Sequence, residues 1–328
     1  MLRNDIPDVL LANEVAGQAQ SEYLVSLAKL AREKNAKFSV CVDNIEEVQR
    51  LAGLLGDCPL TLLVEIDVGQ HRCGVMPGAA VVPLVQEILR HPCFTFGGLQ
   101  AYHGWVQHVR TPSQRRAIAS QVAQYVRETH TGLREAGLPV PELVTGVGTG
   151  SLVDELKENV HTELQPGSYL FMDCDYLRNQ QEDGSYVRRF VPSLFVLTTV
   201  ISVANREAEN PWVVVDAGTK ACSMDSGAPA VLQKNGLCGL ELSEAAIKAI
   251  HTPDLVYKNG GDEHGLVSAA SEEAKAILRS INAGDRLLLV PGHCDPTVNL
   301  FNEMHGLVGD QVRREFAVEA RSYSQATQ

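Results

Sequence analysis

The sequence predicts an α/β protein in two parts: a parallel-sheet domain over residues 1–185 and a mostly-β domain over residues 186–328. Three observations carry this. Through the first half, short runs rich in Val, Leu and Ile alternate with amphipathic stretches, the pattern of a parallel sheet covered by helices. After about Arg188 the helical pattern thins, and the connections fill with Gly, Pro and Asn. Between the two, the polar run LRNQQEDGSYVRR reads as an exposed loop and places the boundary within residues 174–189.

The strand candidates of the first part are residues 8–13 (DVLLAN), 38–43 (FSVCVD), 60–67 (LTLLVEID), 96–104 (FGGLQAYHG), 143–148 (LVTGVG) and 163–171 (ELQPGSYLF). Helical patterns separate them at 14–34, 44–55, 79–90, 113–136 and 151–158. Asp43 or Asn44 can cap the helix that opens IEEVQRL, and Thr149 or Ser151 can cap SLVDEL. Repeating units of this size suit an open doubly wound sheet or a (β/α) barrel, and the pattern alone leaves both open. In the second part, residues 193–203, 212–216, 285–290 and 315–320 are strand-like, and 243–250 and 271–281 are helical.

Composition narrows the function. The 28 Lys and Arg against 40 Asp and Glu leave a formal charge of −12, which argues against nucleic acid or an anionic membrane as the main partner. No apolar run reaches the length of about 18 residues expected of a membrane span, and the first residues lack the basic-then-apolar order of a signal peptide. The eight cysteines are scattered without a Cys-x-x-Cys pair, as expected for reduced thiols in the cytoplasm.

In parallel α/β domains the chemistry collects at the C-terminal ends of the strands. Asn13, Asp67, Arg72, Tyr102, His103, His108, Thr145 and Gly146 all fall at or just after such ends. The turn TGVGTGS over 145–151, with Gly148, Thr149 and Gly150, has the form of a phosphate cradle at a helix start; as a bare tight turn it reads equally well. The sharpest local signal is PGHCDPTVNL over 291–300, directly after the strand-like DRLLLV. His293 and Asp295, at i and i+2 of an extended segment, point the same way and suit a divalent ion such as Mn²⁺ or Mg²⁺; Cys294 would point away, and Cys with His would suit Zn²⁺. The run GDEHG over 261–265 is a second polar cluster, equally readable as a solvated turn.

Taken together, DVLLANEV, VEIDVGQHRCGV, GGLQAYHGWVQH, VTGVGTGS, ELQPGSYLFMD, VVDAG, DEHG and PGHCDPTVNL resemble the D-threonine aldolase, 3-hydroxy-D-aspartate aldolase and D-serine dehydratase group. These are fold-type III pyridoxal-phosphate enzymes, relatives of alanine racemase. The resemblance implies an alanine racemase-like (β/α)₈ barrel followed by a C-terminal β domain, assembled as a homodimer. It assigns Arg72 to the pyridine nitrogen of the cofactor, Tyr102 to the cofactor's surroundings, and His108 to the substrate hydroxyl. It places Asn13, Thr145, Gly148, Thr149, Gly150, Gly167 and Tyr169 around the cofactor and its phosphate. It makes His293 and Asp295 the metal pair, where the D-serine dehydratases use His-x-Cys, and so favours the aldolase branch. The implied reaction cleaves a small D-β-hydroxy-α-amino acid to glycine and an aldehyde; dehydration of such a substrate is the alternative.

One departure follows from the same resemblance. The family's Schiff-base lysine ends a barrel strand two units before the segment matched by DVLLANEV, so the chain is expected to lack about the first two βα units and that lysine. The count agrees: six candidate strands stand where a closed barrel has eight. Lys29, Lys34 and Lys37 follow Asn13 in or just after a helical stretch and are not at a strand end. An inactive form without the lysine is therefore the further alternative.

Overall fold

A computed structural model describes residues 1–233, 239–309 and 311–319. Contacts divide the chain into two compact units, Met1–Pro166 and Gly167–Gln328. The polar run that marks the boundary in the sequence lies inside the second unit, because the residues before it are drawn into a core there. Met172, Cys174, Tyr176 and Leu177 pack with Ala230, Leu232, Leu288 and Val290.

The first unit holds six strands: β1 (Asp8–Leu11), β2 (Lys37–Val42), β3 (Leu60–Glu65), β4 (Phe94–Ala101), β5 (Val144–Gly146) and β6 (Glu163–Leu164). Five helices connect them: α1 (Gln18–Glu33), α2 (Ile45–Leu55), α3 (Val82–Arg90), α4 (Pro112–Glu135) and α5 (Leu152–Leu156). All pairings are parallel, and the spatial order is β1-β2-β3-β4-β5-β6. This decides what periodicity left open. A doubly wound sheet reverses direction at a switch point, whereas a (β/α) barrel adds each strand on the same side of the last, as here. The core beneath the helices gathers Leu60, Leu62, Val64, Leu99 and Ala101 from the strands with Leu24, Val48, Leu51, Val85 and Val126 from the helices.

Several boundaries moved for identifiable reasons. Asn44 is the cap of α2, its Oδ1 accepting the Glu47 N–H at 2.8 Å. Ser151 precedes α5 without a side-chain cap, because its hydroxyl is engaged elsewhere. The strand expected over 163–171 shrinks to two residues. After Gln165 donates to the Gly146 carbonyl at 2.7 Å, Pro166 has no N–H to continue the ladder. Residues Ser168–Leu170 then form a 3-10 turn. The β3–β4 pairing shifts register between Leu62, opposite Phe96, and Leu63, opposite Gly98, so Gly97 is an extra residue in β4. A Cβ on Gly97 would lie 2.3 Å from Thr61 Cγ2, which is why the bulge falls on a glycine.

The second unit is built on a closed barrel of β7 (Val196–Asn205), β8 (Trp212–Val215), β9 (Ala230–Gln233), β10 (Leu255–Asn259), β11 (Gly265–Ala269) and β12 (Arg286–Val290), all antiparallel. Helices α6 (Gly239–His251), α7 (Lys275–Arg279) and α8 (Cys294–Val298) accompany it, and β13 (Glu303–Val308) pairs with β14 (Gln311–Ala317) as a separate ribbon. Three barrel strands, β9, β10 and β11, are additional to those expected, as is β13. The strand expected over 315–320 begins earlier, at Gln311, and position 320 lies outside the described residues. Alternation on β12 explains why this part reads as strongly apolar. Leu287 and Leu289 face one core, while Leu288 and Val290 face another. The GDEHG run is the exposed turn between β10 and β11, where Lys220 Nζ pairs with Glu263 at 2.5 Å.

Candidate functional site

In the first unit Arg72 stands beside the ends of β3 and β4, carried by a loop that closes on itself. Asp67 N–H donates to the Val75 carbonyl at 2.9 Å, and Val75 N–H donates to the Glu65 carbonyl at 3.0 Å, pinching residues 67–74 into a loop. Inside it, Asp67 Oδ1 accepts the N–H groups of Gly69 and His71, each at 2.9 Å, and Oδ2 meets His71 Nδ1 at 2.8 Å. These bonds hold the Asp67 carboxyl below its ordinary range although burial opposes them. The loop is further tied to β2, since Gly74 N–H donates to Asp43 Oδ2 at 3.1 Å. So fixed, Arg72 has its guanidinium carbon 5.8 Å from the centre of the Tyr102 ring and Nη2 4.0 Å from Glu65 Oε1.

Carboxyls crowd behind that cation. Glu65 is buried, and burial followed by the charge and hydrogen bond of Glu14 pushes its carboxyl up, against the pull of Arg72. Glu14, Asp43 and Cys73 bring ligand-type atoms within 4.8 Å of one another beside it. Glu14 and Glu65 stand inside the quoted motifs, yet sequence reasoning passed over them, and it read Asp43 only as a possible helix cap; their position at strand ends was the available signal.

The glycine turn after β5 is shaped from inside by a residue that sequence reasoning also missed. Gln107 is buried, and its Oε1 accepts the N–H groups of Gly150 at 2.7 Å and Ser151 at 3.1 Å, while its Nε2 donates to Ser151 Oγ at 2.7 Å. A Cβ on Gly148 would lie 2.4 Å from Gln107 Cδ, so the glycine there is required by this side chain. Thr145 is buried, and its hydroxyl accepts from Gln165 Nε2 at 2.9 Å. Asn13 is exposed, its amide donating to the Glu14 carbonyl at 2.8 Å. His108 ends a 3-10 turn, Trp105–His108, that follows β4, and it is half-buried. His103 is buried, and its Nδ1 accepts the Val106 N–H at 3.2 Å, a packing role.

The residues assigned to the ring of pyridoxal phosphate fit it. Arg72 offers a permanent cation for a ring nitrogen, flanked by the face of Tyr102. In the turn over 147–151 the N–H groups of Gly150 and Ser151 are taken by the Gln107 carboxamide oxygen, and Gln107 fills the space at Gly148, so this turn as it stands offers those two donors to Gln107 rather than to a phosphate. No lysine stands at the C-terminal end of any of the six described strands. Lys34 is in the turn after α1, paired with Asp5 at 2.5 Å, and Lys37 opens β2, paired with Asp8 at 3.3 Å.

In the second unit the structure brings His293 and Asp295 together. His293 Nε2 lies 3.2 Å from Asp295 Oδ2, and Ser168 Oγ donates to that same oxygen at 2.8 Å. The backbone reason differs from the one expected. The segment is not an extended strand: His293 is the extended residue just before α8, and Asp295 lies in its first turn. Cys294 does point away. It is fully buried, with its N–H donating to Asp173 Oδ2 at 2.9 Å. On the other edge of the imidazole, Nδ1 donates to Asp225 Oδ2 at 2.6 Å. The bond to Asp295, acting against burial, and the bond to Asp225 raise His293 to about 9. Burial would raise Asp225, but bonds from Ser223 and His293 bring it down to about 2. A His and a carboxylate with oxygen and nitrogen donors this close, one of them exposed, form a donor set suited to a divalent cation with open positions. Tyr169 and Gly167 also belong to this unit; Gly167 is exposed, and Tyr169 rests on Phe190 with ring centres 5.4 Å apart.

Two family models match the chain. Residues 16–175 match the alanine racemase N-terminal domain, and residues 193–307 match a putative serine dehydratase domain. The chain is 36% identical over 325 residues to a D-threonine aldolase of Arthrobacter sp, covering 97% of this chain and 75% of that protein. It is 36% identical over 323 residues to a 3-hydroxy-D-aspartate aldolase of Paracoccus denitrificans, with the same coverage of each. The crystal structure of a D-threonine aldolase from Filomicrobium marinum superposes with a TM-score of 0.81 at 35% identity, covering 98% of this chain and 78% of that one. The chain belongs to the family of the D-threonine and 3-hydroxy-D-aspartate aldolases.

Proposed function

We propose that the chain is a pyridoxal-phosphate- and divalent-metal-dependent lyase that cleaves small D-β-hydroxy-α-amino acids to glycine and an aldehyde. The activities named for its aldolase relatives support this, and the observation that carries it is the 3.2 Å approach of His293 Nε2 to Asp295 Oδ2, a His-Asp pair rather than His-Cys. Arg72 and Tyr102 hold the cofactor ring, and Asn13, Thr145, Gly148, Thr149 and Gly150 hold the remainder and the phosphate. His293 and Asp295 hold Mn²⁺, Mg²⁺ or Zn²⁺. When bound, the cofactor supplies the electron sink for the carbanion left at Cα, and the cation acidifies the β-hydroxyl.

The chain's own residues do the rest. His108 receives the proton of the β-hydroxyl oxygen as the Cα–Cβ bond breaks. Arg72 would hold its guanidinium toward the ring nitrogen of the cofactor, as a fixed cation there. Ser168 and Asp225 hold Asp295 and His293 in place. The enzyme works as a cytoplasmic homodimer.

The test incubates the chain with pyridoxal phosphate, Mn²⁺ and D-threonine, both as the 328 residues and extended N-terminally with the lysine-bearing βα units of a D-threonine aldolase. Glycine and acetaldehyde are expected from the extended chain. The match of residues 193–307 to a putative serine dehydratase domain favours one second reading: 2-oxobutanoate and ammonia would replace cleavage by dehydration.

A further inference from the structure

The loop before β9, with the sequence SMDSGAP over 223–229, has no part in the roles above except through Asp225. Its side chains are organised around that residue. Ser223 Oγ donates to Asp225 Oδ1 at 2.5 Å, and Ser226 Oγ donates to Oδ2 at 3.2 Å. The loop is strapped to the metal motif by one threonine. Thr297 Oγ1 accepts the Ser223 N–H at 3.1 Å and donates to the His293 carbonyl at 2.7 Å. A second carboxylate, the buried Asp173, pins the start of α8 by accepting the N–H of Cys294 at 2.9 Å. The turn that carries His293 is therefore held from both sides.

We propose that Asp225 is the positioning carboxylate of the metal site, fixing the imidazole of His293 through Nδ1–H so that Nε2 alone faces a divalent cation beside Asp295. This inference rests on the metal reading above. An ionised carboxylate only accepts, so the 2.6 Å contact to Asp225 puts a proton on Nδ1, and Nε2, 3.2 Å from Asp295, is the nitrogen whose proton a divalent cation would displace. Asp225 is not a third ligand. It sits against the opposite nitrogen of the ring from Asp295, and the lone pairs of the two nitrogens diverge. A carboxylate behind a ligating histidine sets its tautomer and raises its donor strength.

The experiment titrates the metal-free chain with Mn²⁺ in competition with a chromophoric chelator, for the wild type, Asp225→Asn and Asp225→Ala. Asp225→Ala is expected to weaken binding about 10–100-fold. Asp225→Asn keeps an oxygen that can accept from Nδ1–H and is expected to restore part of the loss. A purely structural role would not give that order once both variants show the wild-type circular dichroism. With Zn²⁺ bound, nitrogen-15 spectra of His293 should show Nδ1 protonated and Nε2 coordinated in the wild type. Binding by Asp225→Ala within twofold of the wild type, or coordination through Nδ1, overturns the inference while leaving the metal reading intact. Failure of the wild type itself to bind Mn²⁺ overturns both.

Discussion

Each unit gathers carboxylates at the ends of its strands, and the two gatherings carry opposite charge logic. In the first, Glu65 shares its surroundings with Glu14 and Asp43 and has one arginine at 4.0 Å, so burial and like charge push its carboxyl up. In the second, Asp225 and Asp295 flank His293 at 2.6 and 3.2 Å and are both held below their ordinary range, while the histidine is raised to about 9. The same functional group is a proton holder in one place and an anion in the other. The difference lies first in burial, nearly complete for Glu65 and about half or less for Asp225 and Asp295, and then in whether a cation stands between the carboxylates or to one side of them.

Removing the central cation tests this most severely. His293→Ala leaves Asp225 and Asp295 facing each other without a ligand nitrogen, and Mn²⁺ affinity by equilibrium titration should fall by more than about 100-fold, beyond what loss of an outer partner costs. Affinity within tenfold of the wild type would mean that the carboxylates alone form the site.

In the first unit, Glu65→Gln should change how stability depends on pH. Glu65 is raised in the folded chain above its ordinary 4.5, so the folded state binds the proton more tightly than the unfolded state does. The contribution of Glu65 to stability then falls as pH rises above that value, by up to about 1.4 kcal/mol per pH unit, until the folded carboxyl also ionises. Glu155, raised to about 8 by burial, slopes the same way in both proteins, so the stability of the wild type should fall relative to that of the variant as pH rises. Urea unfolding from about pH 5 to about pH 8 checks it, and parallel profiles for the two proteins would break the contrast between the units.

The smallest effect is expected at Ser168. Its hydroxyl donates to Asp295, which remains largely exposed, so Ser168→Ala should cost about 1 kcal/mol in urea unfolding, less than a buried bond to a charge. A larger loss would show that Asp295 depends on its hydrogen bond as much as on His293.

The sequence made the local parts of this picture readable. Val- and Leu-rich runs buried on both faces announced β2 and β3, and the Asn44 cap announced α2. Cys294 could be set apart from its neighbours by spacing, although the turn responsible is helical. What stayed hidden is what depends on partners distant in the chain. β9, β10 and β11 are short, and they become strands by closing a barrel, in which Val256 opposite Ala230 supplies a seam. Gln107 looks like any surface glutamine until Gly150 and Ser151 come to rest on it from 43 and 44 residues away. Asp225 lies 68 residues before His293, in a loop with no periodicity to mark it.

The extra residue at Gly97 has a consequence for what β4 delivers. Before it, even-numbered residues share a face with the helix-covered core: Phe94 pairs with Leu60, and Phe96 pairs with Leu62. After it, the odd-numbered Leu99 pairs with Val64 on that side, and Gln100 pairs with Glu65 on the other. The glycine thus acts as a parity switch, since strand side chains alternate with a period of two. Were every residue of β4 kept and paired regularly with β3, without the bulge, Gln100 and Tyr102 would turn under the helices, and Leu99 and Ala101 would turn toward Glu65. The ring that flanks Arg72 is therefore placed by an inserted residue five positions upstream as much as by its own identity.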